Sequence, residues 1–395
     1  MLKKRGAPIT GFFGKHKFAM AVTTLIGTIV GAGILGIPYV VAKAGIFYGF
    51  VLMIAIGFAF VFLNLFAGEV VLRTKKQYQL TGYAEKYLGR TGKRIMTFSM
   101  VFNIYGALTA YLIGEGQTLF FIFGAGFPLL YTLLFFAVTS FIVYKGIKAT
   151  GRAELILISL LFLVVILIGI FSFRSIDTHN FTPLDLSYFF LPYGVILFAF
   201  MGSPAIPEVQ EVLGQEKKKM KKAIIIGSVI PIVLYLLFTI IIIGVVGEGN
   251  FDLLAPNERI ATIALSVYGH PLLGTLANLL AVLSMFTSFL TLSIALAEMY
   301  EYDYLFSRRK ALLFTLSLPL IIILFNATTF FTVLGLTGAI AGGLDGIIIT
   351  LMYWKAKKLG DRKPEYVLGK HAFLGSILML MFVLGMVYQL KMIFF

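Results

Sequence analysis

The sequence predicts an all-α integral membrane protein, on the evidence of its composition, the length of its apolar stretches and the placement of its basic residues. Of 395 residues, 59% are hydrophobic and only 13% are charged, and the mean hydropathy is +0.95. No soluble domain of this length buries that much apolar surface. The solvent around most of this chain must therefore be lipid.

The apolar stretches are long enough to cross a bilayer, which takes roughly 20 residues of helix. The first stretch follows a basic leader but is too long for the core of a signal peptide, so we expect a mature helix. We predict eleven transmembrane helices, at 17–43, 46–72, 95–123, 127–144, 153–173, 187–212, 223–247, 271–299, 311–328, 331–354 and 371–395.

The basic residues fall almost entirely on one side of these spans. With the N-terminus inside, only four of the 33 Lys and Arg residues lie outside: Lys43, Arg174, Arg259 and Lys391. Cytoplasmic loops of membrane proteins collect Lys and Arg. We therefore expect a multi-pass protein of the cell membrane with a cytoplasmic N-terminus and an external C-terminus. The net charge of +15 then reflects topology and does not indicate a nucleic-acid partner.

The chain shows no linker between domains and contains a candidate internal repeat. Ile-Pro pairs end at Pro38 in span 1 and at Pro207 in span 6, 169 residues apart. Span 6 comes five spans after span 1. Because five is an odd number, the second unit would be inverted relative to the first. We predict one membrane domain over 1–395, with inverted repeats 17–174 and 187–355, an extra helix at 371–395, and external loops at 174–186 and 248–270.

Helix-breaking residues cluster in spans 1 and 6, at Gly31, Gly33, Gly36 and Pro38 and at Gly202, Pro204 and Pro207. A break in lipid exposes backbone groups that must be satisfied by protein, water or ligand. Free N–H groups at Ala32, Gly33 and Ile34 suit a carboxylate. Free carbonyls near Ile29 and at Phe200 and Met201 suit an ammonium or a metal cation. Close helix packing is the alternative reading of the same glycines.

Ionisable residues inside the spans are the next signal, because each costs about 2.5–3.5 kcal/mol to insert. Glu115 in span 3 and Asp345 in span 10 are candidates to bind a proton or a cationic ligand. Glu69 near the end of span 2 is placed to accept N–H groups freed by a break. Glu208 and Glu211 have a competing structural role, facing the lysines at 217–222.

Span 8 carries hydroxyl groups on one helical face, at Ser284, Thr287, Ser288 and Thr291. Such hydroxyls often bond to the backbone of their own helix. The adjacent Thr287 and Ser288, with backbone carbonyls opposite, would also suit a desolvated Na⁺. Spans 1, 3, 6, 8 and 10 hold no Lys or Arg in their apolar interiors, which favours a neutral substrate.

These segments resemble the amino acid, polyamine and organocation transporter superfamily, and within it the amino acid/auxin permeases and the hydroxy and aromatic amino acid permeases. The matching segments are GTIVGAGILGIPYVVAKAG in span 1, NLFAGEV in span 2, YAEKYLGRTGKR in the following loop, ALTAYLIGEG in span 3, FAFMGSPAIPEVQEV in span 6 and MFTSFLTLSIALAEMYEY in span 8. The ordered set covers most of the chain.

The resemblance implies a leucine-transporter-type fold of five plus five inverted helices, with broken spans 1 and 6 and a site at the midplane. It implies that Ala32, Gly33 and Ile34 hold the substrate carboxylate. Phe200, Met201, Gly202 and Ser203 would take the amino group, Tyr105 would line the pocket, and Glu69 would brace the unwound segments. A sodium ion would lie among Thr287, Ser288 and the carbonyls of Gly27, Val30 and Ser284.

We therefore expect a cation-coupled symporter of neutral, aromatic or large hydrophobic amino acids that works by alternating access. Sodium and protons both remain candidate coupling ions, because span 5 lacks the buried lysine of some proton-coupled relatives while aromatic permeases are generally proton-driven. A non-transporting amino acid sensor is the alternative. The chain has no Cys and its four His lie at span ends or in loops, so we expect no enzyme activity, metal cluster or other cofactor.

Overall fold

The computed structural model describes residues 17–145 and 151–394, and within these ranges it consists of helices and connecting segments with no strand. Within the described residues, nine helical segments are long and apolar enough to cross a membrane, and a bent pair of helices at the start makes a tenth if it is counted as one span. Two of the nine segments join two consecutive α-helices. The predicted all-helical membrane fold is confirmed. The division into two inverted repeats stays a prediction.

The described residues form sixteen α-helices, and most of the predicted spans correspond to one helix or to two consecutive helices. Their bounds are α1 Lys17–Ile29, α2 Gly33–Ala44, α3 Ile46–Leu72, α4 Leu80–Phe123, α5 Pro128–Lys145, α6 Gly151–Ser172, α7 Leu191–Phe200, α8 Ile206–Leu213, α9 Met220–Val246, α10 Glu248–Leu253, α11 Ala261–Tyr268, α12 Pro271–Asp303, α13 Arg308–Leu324, α14 Phe330–Thr337, α15 Gly343–Leu359 and α16 Ala372–Phe394.

Spans 1 and 6 are broken where glycine and proline predicted a break. The axes of α1 and α2 differ by 52° across residues 30–32. In span 6, α7 ends at Phe200, and a single 3₁₀ turn at Ser203–Ala205 leads into α8. A third irregularity was not predicted: the five residues Gly338–Gly342 form a π-helical turn between α14 and α15.

Other elements differ from the sequence-based expectation. The segment 248–270, predicted as an external loop, contains α10 and α11. Helix α4 begins fifteen residues before the predicted start of span 3, with a kink at Gly89, whose φ is 73°. The predicted ninth span corresponds to α13, which at 17 residues is about 26 Å long and close to the shortest helix that crosses a bilayer. The count of eleven spans therefore stays a prediction.

Helix α7 and the π-helical turn approach each other more closely than any side chain would allow. A Cβ added to Gly338 would overlap the carbonyl oxygen of Gly194, and a Cβ added to Gly194 would overlap the carbonyl oxygen of Gly335. Both obstacles are backbone atoms, which cannot rotate away as a flexible side chain would. Small residues let helices in membranes pack backbone to backbone in this way.

We expect Gly338→Ala to lower the melting temperature of the detergent-purified protein, because overpacking against a rigid backbone costs about 1–3 kcal/mol or more. Gly249→Ala is the matched control, since a Cβ there meets nothing within 4 Å. It is expected to change stability by less than about 0.5 kcal/mol. Equal melting temperatures for the two variants would contradict the backbone contact.

Candidate functional site

The two broken spans cross each other at their breaks. A Cβ added to Gly33, at the start of α2, would lie 2.5 Å from Cα of Ala199 in the last turn of α7. A Cβ added to Gly202, in the span 6 break, would lie 2.6 Å from a side-chain carbon of Ile29. Both glycines are therefore needed for the close approach, which brings the interrupted backbones of the two spans together.

Tyr235 on α9 binds the backbone of both broken helices. Its hydroxyl oxygen lies 2.8 Å from the carbonyl oxygen of Ile29 and 3.0 Å from that of Ala199. These carbonyls belong to the final turns of α1 and α7, which have lost helical partners at the breaks. The phenol is fully buried. The Ile29 carbonyl, predicted as a cation ligand, thus accepts a hydrogen bond from Tyr235, a residue that the sequence analysis did not single out.

Asn64 on α3 connects the span 6 break to the same face of α9. The Ser203 hydroxyl donates to Oδ1 of Asn64 at 3.0 Å, and Nδ2 of Asn64 donates to the Ser228 hydroxyl at 3.1 Å. Ser228 and Tyr235 lie seven residues, or two turns, apart on α9. Helix α9 therefore supports both breaks with polar side chains.

The hydrogen-bond partners of Glu69 lie outside the unwound segments, and its role as a brace stays a prediction. Its carboxylate accepts hydrogen bonds from Nε of Arg73 at 2.8 Å, from Nζ of Lys357 at 3.1 Å and from the backbone N–H of Leu368 at 2.7 Å. Glu69 lies five residues beyond Asn64 on α3, about 7.5 Å nearer the end of the helix. It ties that end to α15 and to the segment before α16, whereas Asn64 is the α3 residue that contacts the span 6 break.

A cavity of about 120 Å³ lies beside the span 1 break, between α1, α4, α6 and α12. All five residues of the predicted sodium site contribute to its wall: Gly27, Val30, Ser284, Thr287 and Ser288. Thr28 and Thr291, also in the wall, are exposed and mark its opening. The structure therefore brings the predicted ion-site residues together, while occupation by an ion stays a prediction.

The hydroxyl groups of Thr287 and Tyr111 in the cavity wall already contact other groups of the protein. Thr287 donates to the backbone carbonyls of Leu283 and Ser284 at 3.2 Å and 3.0 Å, which is the own-helix bonding that the sequence left open. The hydroxyl of Tyr111 lies beside Ser288, and a Cβ added to Gly31 would be 3.3 Å from the Tyr111 oxygen. Tyr111 therefore joins the span 1 break to α12.

Tyr111 takes the place that was predicted for Tyr105. It lines the cavity, whereas the hydroxyl of Tyr105 lies 2.7 Å from that of Tyr300 and donates to the carbonyl oxygen of Phe314 at 3.0 Å. The two tyrosines are six residues apart, so they reach different levels of α4. The quoted motif ALTAYLIGEG contains Tyr111 and was the available signal.

The predicted substrate residues of span 6 do not line the cavity. The Phe200 ring packs on Tyr235 with centroids 5.1 Å apart, and Met201 lies against Gly342 in the π-helical turn. Among the predicted residues of span 1, Ala32 and Gly33 are buried, and Ile34 lines a second cavity of about 30 Å³. The two cavities share Leu161 and Ser284 in their walls.

The two buried acids proposed as ion-coupling groups lie in different surroundings. Asp345 accepts a hydrogen bond from the Ser99 hydroxyl at 2.7 Å, within the contact between α15 and α4. Glu115 is fully buried on α4, and neither carboxylate oxygen has a hydrogen-bond partner within the described residues. In residues 17–145 and 151–394, His, Asp and Glu form no group of three that could hold a metal ion.

Residues 248–268, which we call the outer cover, close the end of the molecule that is predicted to be external. Arg259 donates to the Tyr39 hydroxyl of α2 at 2.7 Å, and the Asn257 side chain accepts the backbone N–H of Phe330 in α14 at 2.9 Å. Lys43, at the end of α2, pairs with acidic residues of α10 at 2.8 Å and 3.0 Å. The cover therefore binds both α2 and α14.

Comparison with known proteins identifies relatives along the whole chain. A model of the tryptophan/tyrosine permease family matches residues 14–389. Tyrosine-specific transport system 1 of Haemophilus influenzae is 25% identical, over 92% of this chain and 94% of its own length. The low affinity tryptophan permease of Escherichia coli K12 is 23% identical, over 87% of this chain and 88% of its own length.

Glutamine transporter 2 of Aliivibrio fischeri is a further relative, 22% identical over 80% of this chain and 83% of its own length. Among solved structures, the crystal structure of MhsT in complex with L-phenylalanine superposes with a TM-score of 0.68 at 19% sequence identity. The superposition covers 93% of this chain and 98% of MhsT. It supports the predicted leucine-transporter-type fold.

We expect Tyr235→Phe to destabilise the protein by about 1–3 kcal/mol, because it leaves the Ile29 and Ala199 carbonyls buried without their donor. Tyr131→Phe on α5 is the matched control, since the Tyr131 hydroxyl donates to an exposed loop carbonyl, that of Ala125. Thermal unfolding in detergent measures both effects. A Tyr235→Phe protein as stable as the control would show that water can replace the phenol at the breaks.

Proposed function

The chain belongs to the tryptophan/tyrosine permease family, and from this premise we propose that it carries neutral aromatic amino acids across the cell membrane by cation-coupled symport. It is a multi-pass membrane permease and not an enzyme, as the family assignment shows. The observation that carries the proposal is the 120 Å³ cavity, where the interrupted backbone of span 1 meets the hydroxyls of α12.

The chemistry of the cavity fits the main chain of an amino acid. The start of α2 presents N–H groups at Ala32, Gly33 and Ile34 with a partial positive charge that favours a carboxylate. Tyr111 lies beside this turn and is placed to donate a hydrogen bond to the same carboxylate. The carbonyls at Phe200 and Met201 suit the amino group, with Gly202 and Ser203 beside them. These residues do not line the cavity in this structure, so span 6 would have to move towards it when the substrate binds.

The remaining walls of the cavity fit an apolar side chain. Ile158 and Leu161 of α6 and Leu292 of α12 contribute hydrocarbon surface, and no Lys or Arg is among the described residues that line the cavity. An acidic side chain would therefore meet no fixed positive charge from these residues. The relatives named for tyrosine and tryptophan transport support an aromatic substrate. At about 120 Å³ the cavity would have to widen for a large ring, which requires Ile158 or Leu161 to move.

The difference between the two ends of the site supports alternating access as the mechanism. The outer cover is closed over α2 and α14, while Thr28 and Thr291 are exposed at the edge of the cavity. We assign this arrangement to a state open towards the cytoplasm, with the N-terminus inside. Substrate and ion would each favour one state over the other by bridging the broken spans to α12.

The candidate ion-binding residues form two groups, one for each possible coupling ion. Sodium would use the carbonyls of Gly27, Val30 and Ser284 with the hydroxyls of Thr287 and Ser288. A proton would use a buried carboxyl group, Asp345 or Glu115. The two readings make opposite predictions about which gradient drives uptake.

Uptake of labelled tyrosine or tryptophan into proteoliposomes, under a sodium gradient, a pH gradient or neither, tests the proposal. If sodium binds in the cavity, Thr287→Ala is expected to raise the sodium concentration for half-maximal uptake by about fivefold or more. Thr275→Ala is the control, since Thr275 lies on the same helix, bonds to the Pro271 carbonyl of its own helix and is exposed. It should leave uptake unchanged.

A pH-driven uptake that is lost only in Asp345→Asn would place coupling at the contact between α15 and α4. Binding of the amino acid without uptake under any gradient would contradict transport and would favour an amino acid sensor. Uptake without either gradient would contradict the cation-coupled mechanism and leave a facilitated carrier.

A further inference from the structure

Glu115 is distinguished from the other buried acids by its lack of partners. The fully or nearly buried carboxylates of the described chain are Glu69, Glu115 and Asp345. Glu69 accepts bonds from three donors, and Asp345 accepts one from Ser99. Both oxygens of Glu115 are buried with no donor in the described residues, and the Thr118 hydroxyl, one turn further along α4, has no partner either.

A charged carboxylate in such surroundings is costly. An ion removed from water loses several kcal/mol of solvation unless a counter-charge and hydrogen bonds replace it. Neutralisation by a proton removes most of that cost, because a neutral carboxylic acid is far cheaper to bury than its anion. The neutral acid is therefore the form of Glu115 that fits this conformation, in which the outer cover is closed.

No cationic group of the described helices packed against α4 lies near Glu115. Gly114 packs on Met285 of α12, and the ionisable residues of α12 begin at Glu298, thirteen residues or about 20 Å further along. Helix α14 and the π-helical turn contain no ionisable residue.

The remaining ionisable groups on these helices are engaged or distant. Tyr131 of α5 bonds to Ala125, and Lys145 lies at the opposite end of that helix. Asp345 of α15 bonds to Ser99, sixteen residues or about 24 Å before Glu115 on α4. Arg308, Arg309 and Lys310 lie in the first turn of α13, where Arg308 pairs with Glu301 and donates to the Val143 carbonyl near the Lys145 end of α5. Among the described residues Glu115 thus has no fixed counter-charge, and a proton is the cation that fits.

Glu115 also lies on α4 close to a residue of the cavity wall, Tyr111, and close to a residue held by the outer cover, Phe330. It follows Tyr111 by four residues, so the two side chains share one face of α4, and Tyr111 lines the cavity. A Cβ added to the neighbouring Gly114 would lie 3.2 Å from the ring of Phe330, whose backbone N–H is held by Asn257 of the outer cover. Opening of the cover would therefore loosen the packing over Glu115.

We propose that Glu115 is the proton-binding group that couples transport to a pH gradient, an inference that rests on the cation-coupled transport proposed above. When the outer cover opens, the carboxylate takes one proton from a hydronium ion of the external water. The O–H bond of the carboxylic acid forms as an O–H bond of the hydronium ion breaks, which leaves a water molecule. Closure buries the neutral acid, as in this structure. Release of the proton through the cavity beside Tyr111 to cytoplasmic water regenerates the carboxylate and completes the cycle.

The test is Glu115→Gln, whose amide has the size of the acid but cannot release a proton. In proteoliposomes we expect exchange of labelled for unlabelled tyrosine to continue at equal pH, while the stimulation of uptake by a pH gradient falls about tenfold or more. The matched control is Glu85→Gln, the same substitution at an exposed position of α4. It should keep the full response to the gradient.

Glu115→Asp keeps a carboxyl group and is expected to restore part of the pH-driven uptake, which a purely structural role would not predict. Retention of the full pH response in Glu115→Gln would overturn the assignment, as would wild-type uptake that follows sodium alone. Absence of exchange in the wild-type protein would instead contradict the proposed transport function, so the two failures are distinguishable. Each purified variant is first checked for a single symmetric peak in size-exclusion chromatography.

Discussion

The structure depends on satisfying the backbone of two broken helices inside a membrane. Lipid offers no hydrogen bonds, so the carbonyls that lose their helical partners at the breaks need donors from the protein. Tyr235 provides one hydroxyl to Ile29 and Ala199, and Asn64 links Ser203 of the second break to α9. Two helices outside the breaks, α3 and α9, thereby support the backbones of spans 1 and 6 where they are interrupted.

The buried acidic residues have different roles because their hydrogen-bond partners differ. Glu69 lies among Arg73, Lys357 and the Leu368 N–H, which makes it a structural tie between α3, α15 and the segment before α16. The segment 360–371 is held further by Asp361, whose pKa is lowered by its hydrogen bond from Lys86. Glu115 has neither a hydrogen-bond donor nor a counter-charge in the part of the chain that the structure describes. A group whose charge is compensated is suited to hold structure, whereas an uncompensated one is suited to exchange a proton.

The outer cover connects the breaks to the predicted external surface. Its contacts with Tyr39 of α2 and Phe330 of α14 involve the outer half of span 1 and the first part of span 10. Phe330 also packs over Gly114, next to Glu115. Movement of the cover would therefore shift α2 at the proposed substrate site and α14 beside the proposed proton site. Substrate and proton would act on the same set of contacts, which is the physical requirement for coupling between them.

The sequence by itself determined the membrane environment, nearly all the spans, the two breaks and the family, because hydropathy, charge asymmetry and helix-breaking residues are local properties of the chain. It also placed Gly27, Val30, Ser284, Thr287 and Ser288 correctly in one group, since helical spacing puts the last three on one face. Only the tertiary structure decided that Asn64 and not Glu69 reaches the break, that Tyr111 and not Tyr105 lines the cavity, and that Tyr235 occupies the Ile29 carbonyl. Those choices depend on the rotation and axial level of one helix against another, which differ by a turn or less and leave no mark in composition or periodicity.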